Sequence, residues 1–362
     1  MAAISLGLAI AFSGSTAPAQ QLYAANRGVV ELETTGSSGI SVRIAEDLAR
    51  LVDDGATRRV VPVVGRSSLQ NVTDLRFLRG IDTAIVQADV LDYAKQQVFP
   101  GLETAVSFIA KLYNEEFHLL ARADIKDIAD LANQTVNADL LGSGTAITTD
   151  RVFDQLKIQA NITHDSPQVA LDKLRKGEIA AIAFVAGKPA PLFAGLKAED
   201  GFHFISVPFN AASGAIYAPT LLTKSDYPEL VQGNRPVDTV AVGTILLAAD
   251  LRGAPERNNN LANFVEVFFT GFQSLLATGN HPKWGEVNLA ADIPGWHRYE
   301  PAARWLQRNA QVSNIQDPEV LRAMFMRFID ERRLASGSAP MSAQDKDALF
   351  QQFRSWQAGQ PH

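Results

Sequence analysis

The sequence predicts an α/β protein of two lobes joined by two hinge crossovers, followed by a helical C-terminal extension. Three observations carry this. At 362 residues the chain is longer than a single core usually supports. Short apolar strands alternate with helices through small-residue loops, the rhythm of a mostly parallel sheet. That rhythm fills one block, repeats in a second, and then returns to longer strands and helices.

The elements follow in order. Val29–Thr35 reads as a strand, and Gly36-Ser37-Ser38-Gly39 turns it into a helix. There Ile40, Ile44, Leu48 and Leu51 recur at helical spacing, opposite Arg43, Glu46, Asp47 and Arg50. Arg59–Val64 is an apolar strand ending at Gly65, and a helix follows from about Leu69 to Arg79. The strand Thr83–Val86 ends at Gln87-Ala88-Asp89. In the second block Phe117–Ala121 and Thr135–Ala138 read as strands. Leu141-Gly142-Ser143-Gly144-Thr145 opens a helix carrying Val152, Phe153 and Leu156. Val169–Lys176 is a further helix, with Gly177 placed to end it. Ala180–Val185 is a buried strand closed by Ala186-Gly187-Lys188-Pro189, and His203–Val207 is a short one. Strand character returns at Ala215–Leu222 and Val237–Ala248; helices follow at Asn260–Leu276, at Glu300–Asn309 and from Asp317 onward. Crossovers placed near Phe117–Arg122 and Ser213–Thr220 divide the chain into a first lobe (20–117 and 219–310), a second lobe (118–218) and the extension (311–362).

Composition excludes several classes. A formal net charge of -6 argues against nucleic acid and anionic lipid as partners. Cysteine is absent, which removes disulfides, thiolate metal sites, a Cys nucleophile and a lipidated N-terminal Cys. Met1–Phe12 is small and apolar and leads to Ala17-Pro18-Ala19, the order of a secretory signal over 1–19. No Lys or Arg precedes Arg27, a departure from the basic start of such signals. The expected mature chain begins near Gln20, outside the cytoplasm.

No G-x-S-x-G or H-E-x-x-H motif occurs, and the six His residues are scattered without ligand spacing. Gly187-Lys188-Pro189 lacks the upstream Gly and the Ser/Thr of a phosphate loop. No catalyst, metal or cofactor is therefore expected. Three small-residue loops stand at strand ends and lead into helices: Gly36-Ser37-Ser38-Gly39, Gly65-Arg66-Ser67-Ser68 and Gly142-Ser143-Gly144-Thr145. Backbone N–H groups and the dipole at a helix N-terminus favour an anion there, and open α/β sheets bind ligands beyond their strand ends. Each loop also reads as ordinary capping. The candidate cleft residues are Ser37, Ser38, Gly39, Ser67, Ser68, Asn71, Gln87, Asp89, Ser143, Gly144, Thr145, Phe184 and Gly187. Asn71 stays open between facing a ligand and capping locally, Asp89 between ligand and cap, and Phe184 between cleft wall and core.

These residues resemble a known family in order and spacing. The resemblance rests on the loops just given and on Leu69-Gln70-Asn71-Val72, Val86-Gln87-Ala88-Asp89, Leu112-Tyr113-Asn114-Glu115, Asp130-Leu131 and Gly187-Lys188-Pro189. It covers about residues 25 to 305 and points to the TAXI solute-binding proteins of TRAP (tripartite ATP-independent periplasmic) transporters. It implies a type II periplasmic-binding-protein fold, closure of two lobes on a small organic anion (amino acid, dicarboxylate or other carboxylate), and delivery to membrane permease subunits. The family's ligand loops fall on Ser37–Gly39, Ser67–Asn71, Gln87–Asp89 and Gly142–Thr145. Where the family carries a Tyr after the first glycine loop, this chain has Ile40-Ser41-Val42, so glutamate specificity is not carried over. Two alternatives remain at this stage: a ligand sensor of the same fold acting on a membrane receptor or kinase, and an enzyme like the thiamine-pyrimidine precursor synthase of the wider superfamily.

Overall fold

A computed structural model describes residues 28–35, 39–209, 216–231, 233, 235–309, 342 and 347. The expected leader lies outside the described residues, as do Ser37 and Ser38 and all of the C-terminal extension except Ser342 and Asp347.

The first block builds β1 (Val29–Thr34), α1 (Ile40–Val52), β2 (Arg59–Val64), α2 (Ser68–Phe77), β3 (Thr83–Gln87) and the short α3 (Ala88–Tyr93). β1 pairs in parallel with β2 on one side and β3 on the other. α1 forms because its apolar side chains recur at helical spacing, and Ile44, Ala45 and Leu48 are fully buried against the sheet. Gly39 begins it at φ 110°, a conformation that favours glycine.

Next come β4 (Val106–Arg122), β5 (Thr135–Asn137), α4 (Gly144–Leu156), β6 (Asn161–Thr163), α5 (Pro167–Arg175), β7 (Ala181–Ala186) and β8 (Phe202–Phe204). β9 (Tyr217–Leu222) and β10 (Val237–Ala249) follow, then α6 (Pro255–Leu275) and α7 (Glu300–Arg308). The sheet runs β2-β1-β3-β10-β4-β7-β5-β6, with β8 on β4 and β9 on β10. β10 is antiparallel to both β3 and β4, whereas β5 is parallel to β6 and β7.

Two long strands therefore carry the chain between the lobes. β4 has 17 residues, a reach of roughly 55 Å at the usual rise per residue. Its first half, including Phe108 and Tyr113, packs in one apolar cluster with Leu32, Ile85 and Phe268. Its second half packs elsewhere: Phe117 and Leu119 join Val136 and Phe153, and Leu120 joins Phe193 and Phe204. β10 divides likewise, with Val240 and Val242 in a second-lobe cluster and Ile245–Ala249 in the first. The passages meet where Gly243 pairs with Asn114, beside a register shift between Gly243 and Ile245. A Cβ on Gly243 would lie 2.9 Å from Lys111 Cε, the far end of a side chain that can shift to make room.

β4 starts at Val106, ahead of the expected Phe117, and β10 pairs antiparallel with it over Ala241–Ala249. Tyr217 and Val240 pack with Phe117 and Phe153, and Leu222 and Tyr227 with Phe193 and Phe204. β9 pairs antiparallel along the first half of β10.

Candidate functional site

α2 and α4 are each capped by a serine at their start. Ser67 Oγ accepts from Gln70 N at 3.2 Å, and Ser143 Oγ from Ala146 N at 3.1 Å. Between the helix starts lies Gln87, the last residue of β3. Ser68 Oγ donates to Gln87 Oε1 at 3.3 Å, and Gln87 Nε2 donates to Glu115 Oε2 at 2.6 Å. Gly144 sits directly on this amide, because a Cβ there would fall 1.4 Å from Gln87 Oε1. Ser68, Gln87 and Gly144, singled out from the sequence in two separate blocks, are thus in one place.

Other candidates hold the surrounding frame. Asn71 is fully buried; its Nδ2 donates to Ile85 O at 3.1 Å, tying α2 to β3, and its Oδ1 faces Gly65. Thr145 Oγ1 accepts from Val185 N at 3.0 Å, pinning α4 to β7. Thr145→Val should therefore cost about 1–3 kcal/mol of stability by leaving a buried N–H unpaired, read as a lower melting temperature. Asp89 is buried with three donors around it: Thr148 Oγ1 at 2.6 Å, Tyr217 OH at 2.9 Å and Val90 N at 2.8 Å. It links α3 to α4 and β9. Phe184 stands edge-on to Phe193 at 5.9 Å, on the rim of a second-lobe cluster. Gly187 lets the second lobe approach α1, since a Cβ there would meet Ile40 Cδ1 at 1.9 Å.

A cleft of about 720 Å³ opens beside this contact, lined by Gly39, Ile40 and Arg43, by Lys188 and Pro189, and by His281 and Lys283. Glu116 Oε1 accepts from Lys283 Nζ at 2.8 Å and Glu116 Oε2 from Lys188 N at 2.8 Å, joining a late first-lobe segment to a second-lobe loop. Lys283 also reaches Asn114 O and Glu286. Burial acts to lower the Lys283 pKa, but Glu116 and Glu286 outweigh it and leave it raised. Burial raises the Glu116 pKa, with Lys283 opposing. Glu115 is pushed up to about 7, chiefly by burial and against the Gln87 hydrogen bond. Sequence reasoning missed Glu115, Glu116 and Lys283 as functional candidates. The one available signal was two adjacent acids inside an otherwise apolar strand.

Residues 32–251 match the profile of the NMT1-like family, more than half of the chain. The chain belongs to the NMT1-like family. Among solved structures, this NMT1-like chain resembles the alkanesulfonate-binding protein SsuA from Xanthomonas axonopodis pv. citri bound to MOPS. The identity is 12%, covering 72% of this chain and 82% of that one, with a TM-score of 0.43. The aliphatic sulphonate binding protein SsuA from Escherichia coli shares 14% identity, covering 91% of each chain, with a TM-score of 0.40. A TctC solute binding protein from Polaromonas shares 14%, covering 68% of this chain and 87% of that one, with a TM-score of 0.42. Each is a binding protein by name. The sheet is mixed and carries two long antiparallel strands, β4 and β10, in keeping with the α/β class expected from the sequence. Among the described residues no helix is long and apolar enough to cross a membrane.

Proposed function

We propose that this NMT1-like protein is a periplasmic solute-binding protein, the capture subunit of a TRAP-type transporter, which closes on a small organic anion and hands it to a membrane permease. The observation that carries this reading is the seating of Gly144, at the start of a second-lobe helix, on the first-lobe amide of Gln87 beside Ser68. Two helix N-termini then converge on one point from two lobes, an arrangement suited to an anionic group bridging them. The adjoining cleft adds Arg43, Lys188 and Lys283 beside Glu46 and Glu286, while burial holds the His281 pKa below its usual value. In this reading the first lobe comprises 28–115 with 244–309, and the second 116–242. The crossings at Asn114–Glu116 and Gly243 are its hinge, and ligand binding shifts the population toward closure.

The test is thermal unfolding of the full chain against amino acids, dicarboxylates, sulfonates and apolar acids. A ligand at a 100-fold excess over Kd stabilises the fold by about 2.7 kcal/mol, a clear rise in melting temperature. Selective stabilisation by one chemical class supports the proposal. A flat response to every compound overturns it.

A further inference from the structure

We infer that Glu33 is a neutral acid in the folded protein, a positioning residue whose carboxyl proton bridges β1 to the first turns of α2. The inference rests on the binding reading only in taking that helix start as part of the solute site. Glu33 lies near the end of β1 and is 3% exposed, and its Oε2 has no hydrogen-bond partner among the described residues. Asn71 in α2 has the same deficit, being fully buried with its Oδ1 unpartnered. Turning the Asn71 amide over does not supply a donor, because Nδ2 is needed by Ile85 O at 3.1 Å.

Glu33 and Asn71 meet at Gly65. A Cβ there would lie 2.2 Å from Asn71 Oδ1, 2.7 Å from Thr34 O and 2.9 Å from Glu33 Oε1, so three acceptor oxygens crowd one spot. The Gly65 N–H is already given to Thr34 O at 2.9 Å. Asp74, three residues after Asn71 on the same helix face, brings a second carboxyl into hydrogen-bonding contact with Glu33. It is the charged group that Glu33 faces from α2, and the charges acting on Glu33 include no cation.

An ionised Glu33 would therefore be buried among acceptors and against a carboxylate. A proton turns one of these acceptors into a donor, and the new O–H has α2 oxygens to meet. Burial first, and then Asp74, push the Glu33 pKa up to about 8. The turn so held belongs to the site: Asn71 N donates to Ser67 O at 2.9 Å, Ser67 caps the helix, and Ser68 donates to Gln87. Glu33 acts through these residues and touches no solute itself.

The experiment is carbon-13 NMR of the full chain with labelled glutamate carboxyls, without solute, from pH 5 to pH 10. The resonance missing from Glu33→Gln should titrate with a midpoint near the raised value of about 8. Asp74→Asn removes the repelling carboxylate and should lower that midpoint, which identifies the resonance even where Glu33→Gln fails to fold. A carboxyl raised on folding holds the structure at lower pH and releases it as pH climbs through its folded value. Glu33→Gln keeps a donor at every pH. The Gln70 and Asn71 amides should therefore exchange alike in the two proteins at pH 6, and about ten-fold faster in the native chain at pH 9. A Glu33 midpoint below pH 6, or equal exchange at pH 9, overturns the inference. Stabilisation by calcium chloride that EDTA reverses, with Glu33 ionised at pH 7, puts a cation in the proton's place and overturns it too. None of these readouts uses a solute, so their failure is distinct from a flat response to the solute panel.

Discussion

Gly144→Ala is expected to weaken solute binding at least ten-fold and to leave the ligand-bound molecule larger in small-angle scattering than the native complex, with little loss of melting temperature. The added methyl would lie 1.4 Å from Gln87 Oε1 and 2.4 Å from Gln87 Cδ, so one side must give. Gln87 is poorly free to swing, because its amide is held between Ser68 and Glu115 at 3.3 Å and 2.6 Å. Breaking a hydrogen bond to a buried charged group costs about 1.5–3 kcal/mol, and each 1.4 kcal/mol is ten-fold in an equilibrium. The alternative is for the lobes to stay apart, and alanine itself is well tolerated in the first turn of α4. The companion variant Gln87→Ala removes the obstacle, so the double variant should close again and recover part of the affinity. Strong non-additivity of that kind is what direct contact produces. Unchanged affinity and unchanged dimensions in Gly144→Ala would show that closure does not use this contact.

Why these residues could be found from sequence, and others not, follows from where the signals sit. Buried parallel strands such as Thr83–Gln87 appear as short apolar runs, and loops of Gly and Ser at their ends mark helix starts. Those are local patterns, so Ser68, Gln87 and Gly144 stood out before the fold was known. The antiparallel pairing of the two long strands is not a local pattern. β4 runs unbroken through Asn114-Glu115-Glu116, polar residues that interrupt the apolar run and make one strand read as a loop plus a short strand. Only partners far along the chain explain them: Lys283 for Glu116, and Gln87 for Glu115. The same distance hid the pairing of β10 with β4, whose register shifts beside Gly243. Asp89 and Thr145 were visible as polar residues at element ends, but their use is internal. Asp89 receives second-lobe hydroxyls, and Thr145 receives a backbone N–H from β7. Sequence pattern shows that a polar group is present, whereas packing decides whether its hydrogen bonds face a ligand or the protein.

Asp89 is the position where that distinction has the largest consequence for stability. The side chain is fully buried and takes Thr148 Oγ1 and Tyr217 OH on one oxygen and Val90 N on the other. Asp89→Ala leaves two hydroxyl donors buried without an acceptor, at about 1–3 kcal/mol each, so a loss of about 3–4 kcal/mol is expected. In a domain of this size that lowers the melting temperature by about 6–12 °C. Asp89→Asn keeps one carbonyl oxygen to accept and should lose less than half as much. Burial raises the Asp89 pKa, with the Thr148 and Tyr217 hydrogen bonds opposing. A carboxyl raised on folding contributes stability that is present at acid pH and is lost as pH climbs through its folded value. The gap between the native chain and Asp89→Ala should therefore be widest in acid and narrow as pH rises. Thermal melts of the three proteins across pH decide the matter. Equal losses in the Ala and Asn variants would show that charge, not acceptor count, matters here, and a neutral Asp89→Ala would remove Asp89 as a link between α3 and the second-lobe elements α4 and β9.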